Sequence, residues 1–277
     1  MDVFRLLPFR KALAAENMAI DEALFREAAA RRSPPTLRLY GWLKPAVSLG
    51  RFQDAGQEID ADACNRLGIE VVRRPTGGKA VLHDAEVTYS VVAGDGCDRF
   101  PPDILGTYRL ISTCVAQGLK AIGIKAEMSP AGRQAGAGVS SSACFAHPSH
   151  YELLVVGRKI CGAAQRRSGG SFLQHGALLL AFDAEKTAAV LPPHPDPKGW
   201  IRRLTGSVTS LGEQAPGIDG ETLCRVLVEG FEQVLGVSFL AGSLIPGEEA
   251  LKETLLRTKY RLDRWNLEGS GAWMCEN

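Results

Sequence analysis

Residues 151–165 read Y-E-L-L-V-V-G-R-K-I-C-G-A-A-Q. Two apolar, strand-like runs, 151–156 and 159–165, flank Gly157-Arg158, and this spacing predicts a β-hairpin. A further apolar run at 174–180 predicts another strand shortly after it. Upstream, T-L-R-L-Y at 36–40 alternates, and 46–50, 69–74, 80–83 and 87–92 are also strand-like. Apolar residues returning at three and four positions predict helices over 12–32, 57–68, 103–122 and 219–235. Ser33-Pro34-Pro35 ends the first, because proline cannot continue the helical hydrogen-bond ladder. Residues 197–212 read as a polar helix-and-loop connection. A hairpin among elements that do not alternate regularly between strand and helix argues against a doubly wound parallel sheet. The expected fold class is α+β, a mixed or antiparallel sheet flanked by helices.

The 277 residues carry 32 Lys+Arg against 31 Asp+Glu, and 45% are hydrophobic. Such a chain buries a full core, which excludes disorder, a collagen-like repeat and a disulfide-dependent miniature. The net charge of +1 argues against a surface that grips nucleic acid or an acidic membrane as a whole. No apolar run is long enough to span a bilayer, and M-D-V-F-R is not the start of a secretory signal, so a cytoplasmic location is expected. Seven cysteines, an odd number with no C-x-x-C pair, suit a reducing compartment. Each is then either a small packing residue or a nucleophile.

Three segments hold candidate chemistry. In R-R-P-T-G-G-K-A-V-L-H-D (73–84), Gly77 and Gly78 let backbone N–H groups approach a ligand, while Arg73, Arg74 and Lys79 supply positive charge. An ordinary hairpin with solvated charges has the same pattern. In 140–165, Cys144 follows a stretch of glycine, alanine and serine (132–142) that reads as a loop. A loop thiol beside a cation exists as the reactive thiolate, and Lys159 offers that cation. The bland alternatives are a small loop residue and a solvated hairpin lysine. Cys144, His147 and His150 match no common zinc spacing, and no metal is expected. Strand alternation places Lys159 and Cys161 on one face, so spacing leaves Cys144 and Cys161 both open as the partner of the lysine. In Q-H-G-A-L-L-L (174–180), His175 reads as a polar group at a pocket mouth or as a bonded histidine at a strand end.

Taken in order, N-M-A-I-D-E-A-L, L-R-L-Y-G-W, V-S-L-G-R-F-Q, the Gly-Gly motif, A-C-F, the 151–165 run, L-Q-H-G and K-Y-R-L-D-R-W resemble the LipM-type octanoyltransferases. These belong to the lipoate- and biotin-ligase superfamily, and the likeness covers nearly the whole chain. It implies a catalytic domain over 33–247, a strand and helix in 1–32 packed on it, and a C-terminal extension over 248–277. It puts the nucleophile on Cys144 and the catalytic lysine on Lys159, and makes Cys161 a packing residue. It further implies that octanoyl-acyl carrier protein donates to the Cys144 thiolate, and that the resulting thioester passes to a lipoyl-domain lysine, typically of the glycine-cleavage H protein. No cofactor and no ATP enter this scheme, and a monomer suffices.

Under this resemblance Arg73, Arg74, Gly77, Gly78, Lys79, His83, Gln165 and His175 surround the substrate. Arg73, Arg74, Lys79, Arg158, Arg166 and Arg167 would form a basic docking face. Val81, Leu82, Leu178 and Val155 would line an acyl tunnel. Three other activities fit the same superfamily or segment: an amidotransferase from octanoyl-H protein, an ATP-dependent lipoate ligase, and a non-catalytic binder of lipoyl domains. Lys79 in place of a third glycine, and Glu86 in H-D-A-E-V, depart from the ligase pattern.

Overall fold

The computed structural model describes residues 2–129 and 152–269. Along the chain, β1 (Asp2–Ala12) leads into α1 (Ala14–Ala29), β2 (Thr36–Trp42) and β3 (Ala46–Leu49). Two short helices follow, α2 (Ala55–Glu58) and α3 (Ala61–Arg66), then β4 (Glu70–Arg73), β5 (Val81–His83) and β6 (Glu86–Ala93). Next come α4 (Ile104–Ala121), β7 (Glu127–Met128), β8 (Leu153–Val155), β9 (Arg158–Ser168) and β10 (Ser171–Leu179). The chain continues through α5 (Ala184–Ala189), α6 (Pro197–Ser207), α7 (Leu211–Gln214), α8 (Gly220–Leu235), β11 (Val237–Ala241) and α9 (Pro246–Leu255).

Eight strands pair in the order β11-β1-β2-β6-β10-β9-β8-β7, and β4-β3-β5 make a smaller sheet. The large sheet is mixed: β11, β1 and β2 run parallel, while β2, β6, β10, β9, β8 and β7 pair antiparallel. That is the α+β architecture expected from the sequence. The predicted hairpin forms between β8 and β9. Its turn places Val156 at φ 50° and Gly157 at φ 75°, the double left-handed geometry of a two-residue hairpin loop. A second such turn at Gly169-Gly170, φ 55° and 80°, joins β9 to β10, so both strands run longer than their apolar cores suggest.

One face of the large sheet carries α4 and α8, with Val87, Tyr89, Val91, Ile111, Val115, Leu227 and Phe231 in the main core. Asp103 and Asp219 start these helices by accepting the backbone N–H of Gly106 and Thr222, and Gly236 in the left-handed region ends α8. The opposite face carries α1, which packs with the C-terminal residues Leu255, Leu256, Tyr260 and Trp265. The helix read over 12–32 is thus shorter, because 2–12 is strand; β1, on the N-terminal side of the expected boundary at residue 33, lies between β11 and β2. The helix read over 57–68 is two helices. Ile59 is extended (φ −138°, ψ 156°), and Asp60 caps the second through Ala63 N–H.

Candidate active site

A slot of about 440 Å³, including its open mouth, lies where the small sheet meets α1 and β10. Its walls are Met18, Tyr40, Trp42, Val81 and Thr88, and its floor is Gly162, Ala163, Ala164, Gly176 and Ala177. Paired strands bring these small residues side by side, Ala163 opposite Gly176 and Gly162 opposite Ala177. A Cβ on Gly176 would meet the Tyr89 side chain on the core side of the sheet at 2.6 Å, so glycine lets that ring pack directly beneath the floor. Of the expected tunnel residues only Val81 lines the slot. Leu178 and Val155 belong to the main core beneath the sheet, and Leu82 packs with the small-sheet core, because strand alternation turns each away.

The polar groups of the slot come from the predicted motifs. His175 is in the middle of β10, not at its start; its Nδ1 is 3.0 Å from Asp21 Oδ2 and its Nε2 2.7 Å from Thr76 Oγ1. Burial pushes the His175 imidazole below its ordinary pKa, although Asp21 pulls the other way. His83 Nε2 is 2.8 Å from Ser48 Oγ, and its Nδ1 is 2.8 Å from Glu86 Oε1. The Gly-Gly turn is held from inside: Arg74 donates to the carbonyls of Gly77 (2.7 Å) and Lys79 (2.8 Å). Gly78 sits at φ 92°, and Gly50 passes so close that a Cβ on it would meet Gly78 O at 1.9 Å. Gln165 donates to Gln174 Oε1 at 2.8 Å on the sheet beyond the floor.

The expected basic docking face does not form as drawn. Arg73 is fully buried, donating to carbonyls of Gln53 (2.6 Å) and Trp265 (2.8 Å), and Arg74 is 4% exposed. Both hold loops together and present no charge to solvent. Arg158 pairs with Glu213 at 2.7 Å. Arg166 and Arg167, neighbours on β9, turn to opposite sides, over Phe25 and Phe172. Lys79 is exposed.

Lys159 is a buried residue, so the solvated-lysine reading fails. Its side chain is 1% exposed, and Nζ donates to Glu152 Oε1, itself 1% exposed, at 2.7 Å. The register of β8 against β9 shifts between Leu153, which faces Cys161, and Leu154, which faces Lys159. This bulge lets Ile160 and Cys161 both enter the main core with Leu153 and Val155. Lys159 and Leu154 are left on the other side, so the lysine and Cys161 do not share a face as simple alternation predicted. Burial drives the Cys161 thiol up to about 12, with Lys159 only partly opposing it. Such a thiol is inert near neutrality.

Cys144, with His147 and His150, lies outside the described residues. The segment that carries it leaves from Ser129 and returns at Glu152, and these two are joined by a 2.8 Å hydrogen bond from Ser129 N–H to Glu152 O. Among the described residues no three His, Cys, Asp or Glu side chains gather as a metal site. Sequence reasoning missed Glu152, Ser48, Trp42, Asp21 and Thr76. Glu152 had one available signal: a lone carboxylate heading an apolar strand.

A family model for the lipoyl protein ligase A/B catalytic domain matches residues 13–232, and the chain belongs to that family. Within it the chain groups with octanoyltransferases LipM. That of Kyrpidia tusciae is 43% identical over 272 residues, covering 96% of this chain and 99% of the relative. That of Carboxydothermus hydrogenoformans is 38% identical over 270 residues, covering 96% and 98%. Among solved structures, a bipartite lipoate protein ligase from Thermoplasma acidophilum superposes with a TM-score of 0.80 at 28% identity, over 96% of each chain. A lipoate-protein ligase A bound with ATP gives 0.78 at 27% identity, over 96% of this chain and 99% of that one.

Proposed function

We propose that the protein transfers an octanoyl group from octanoyl-acyl carrier protein to a lysine of a lipoyl domain, through a thioester on Cys144. It would act in lipoyl cofactor assembly in the cytoplasm, as a monomer, with the glycine-cleavage H protein as first acceptor. The observation that carries this reading is the buried Lys159–Glu152 pair at the root of the segment bearing Cys144. A buried ammonium held by a carboxylate keeps its charge, and that charge lowers the pKa of a nearby thiol and stabilises the oxyanion of each tetrahedral intermediate. The apolar slot suits an eight-carbon chain, and membership of the family with the LipM relatives supports the choice of donor group.

Each step is chemically self-sufficient. The Cys144 thiolate attacks the donor thioester, and the carrier thiolate leaves and takes a proton. The acceptor amine then displaces the Cys144 thiolate and forms an amide. Exchange between thioesters is nearly neutral and the amide is more stable, so no ATP is consumed. Among the described residues no helix is long and apolar enough to cross a membrane.

The test is intact-mass spectrometry after mixing with octanoyl-acyl carrier protein in the absence of ATP. One octanoyl adduct on Cys144, absent from Cys144→Ser, is expected. An adduct that persists in that variant, or sits on Cys161, sinks the reading. Modification that requires ATP and free lipoate would instead make the protein a ligase. Chasing the adduct with H protein and with dehydrogenase lipoyl domains separates the transferase from an amidotransferase.

A further inference from the structure

A chain of hydrogen bonds in the slot wall has no part in the thioester scheme above. Arg74 Nη1 donates to Ser48 Oγ at 3.1 Å, so the hydroxyl keeps its own proton for His83 Nε2, 2.8 Å away. His83 Nδ1 is then the protonated nitrogen, donating to Glu86 Oε1. Trp42 stacks on the imidazole at 4.0 Å and gives its indole N–H to the same Glu86 oxygen at 2.9 Å, so the ring is held in plane and in one tautomer. Ser48 and His83 both line the slot. A slot-lining hydroxyl, an oriented imidazole and a carboxylate behind it form the arrangement of a general base with its orienting group.

Two histidines in the slot are held by carboxylates, and their surroundings tell them apart. Asp21, behind His175, already faces the Arg38 guanidinium at 2.6 Å and accepts from Tyr40 and Ser90. Among the described residues Glu86, 4% exposed, accepts only from the neutral groups of Trp42, Thr88 and His83. Its Oε2 has no hydrogen-bond partner, and among the described residues no lysine or arginine pairs with it. Among the described residues Arg74, by way of Ser48, and Tyr40 and His175, which line the same slot, are the other charged or titratable groups around His83, while Asp84 turns outward to Lys186 at 2.6 Å. Among the described residues Glu86 thus stands behind His83 with no cation of its own, whereas the carboxylate behind His175 is already paired with Arg38.

We propose that His83 is the general base of the amide-forming step, taking a proton from the acceptor lysine through the Ser48 hydroxyl, with Glu86 as its positioning residue. This rests on the octanoyltransferase reading. The step balances as R–CO–S–enzyme + H₃N⁺–R′ → R–CO–NH–R′ + enzyme–SH + H⁺. The ammonium passes one proton to Ser48 Oγ as the hydroxyl proton moves to His83 Nε2. The amine lone pair forms the C–N bond, the C–S electron pair returns to Cys144 sulfur, and a second amine proton ends on that sulfur. His83 then releases the net proton to water.

The test separates loading from discharge. Each protein is loaded from octanoyl-acyl carrier protein, checked by intact mass, and chased at pH 7 with a lipoyl-domain acceptor or with hydroxylamine, an amine that is unprotonated at that pH. For His83→Gln, transfer to the lysine is expected to fall about a hundredfold, a loss at least tenfold larger than any in loading, in line with general-base catalysis. Discharge by hydroxylamine stays within about threefold of wild type. Glu86→Gln, which preserves shape, shows the same split at about tenfold, and carries the comparison if His83→Gln does not load. Equal losses with both amines, or undiminished transfer to lysine, overturn the base assignment while leaving the Cys144 thioester standing. A wild-type protein that never loads overturns the transferase reading and this inference together.

Discussion

Glu152→Gln is the sharpest test of how the Lys159 charge is held. In the native protein both side chains are 1% exposed and meet at 2.7 Å, so neither charge has water to fall back on. Removing one partner of a buried pair costs about 3–5 kcal/mol, because it strands the other charge in a low-dielectric site. Near the transition midpoint about 3 kcal/mol corresponds to roughly 6–12 °C in Tm for a chain of this size. Replacing both groups with apolar ones of similar volume, Glu152→Leu with Lys159→Met, removes the charges together and is expected to cost far less than the sum of the single changes. Scanning calorimetry on the wild type, Glu152→Leu, Lys159→Met and the double variant gives the coupling directly, with Glu152→Gln as the shape-preserving single change. Single variants that lose less than about 1 kcal/mol, or a double variant whose loss is additive, would refute the claim that the carboxylate secures the ammonium. The chemical counterpart is the alkylation rate of the Cys144 thiol at neutral pH, which should fall in Lys159→Ala; an unchanged rate would take away the pKa-lowering role of the lysine.

Burial pushes the Glu22 carboxyl up, but Lys259 and Arg26 more than offset this and hold it down at about 2, below its ordinary 4.5. Its contribution is therefore present above about pH 4.5 and lost as the pH falls toward about 2, worth roughly 3 kcal/mol over that window. Urea unfolding from pH 5 to 2.5 should show that limb, and Glu22→Gln should flatten it; identical slopes would count against it. Burial lowers the Lys259 ammonium to about 8, with Glu22 pulling the other way. Gly50→Ala would place a Cβ 1.9 Å from the Gly78 carbonyl oxygen, so a loss of several kcal/mol with displaced Gly-Gly turn is expected, read by calorimetry and by weaker octanoyl loading. A stable, fully active Gly50→Ala protein would contradict the close approach. Cys161, with its thiol at about 12, should resist iodoacetamide at pH 7.5 in the native protein and react only after unfolding; prompt native labelling on peptide mapping would disprove its burial.

The legible part of the fold lay in local signals. Gly157 and the two apolar runs around it specified a hairpin, and periodicity located α4 and α8 to within a residue or two of their observed ends. The parts that stayed hidden depend on partners distant in sequence. Residues 2–12 form a strand because β11 and β2 flank them, more than two hundred residues away on one side. The helix read over 57–68 breaks at Ile59-Asp60, where Asp60 N–H bonds to Val190 O, a contact that no local pattern records. Arg73 looked like a docking charge because arginine is usually solvated; its burial depends on carbonyls of Trp265 and Asn266, which approach only after the C-terminal residues fold back.

The site divides along the same line. Residue types picked out the Gly-Gly turn, His175 and Lys159, since each is uncommon in a strand or turn without a reason, and the family resemblance added His83. What they do could not be read from type, because it depends on which carboxylate each one meets. His175 is backed by Asp21 from α1 and His83 by Glu86 three residues on, while Lys159 is held by Glu152 from the preceding strand. The bulge between Leu153 and Leu154 decides the last of these, turning Lys159 away from the core while Cys161 stays in it. One inserted residue in β9 therefore parts Lys159 from Cys161: the thiol stays buried in the main core, and the lysine meets a buried carboxylate where the segment that carries Cys144 rejoins the described chain.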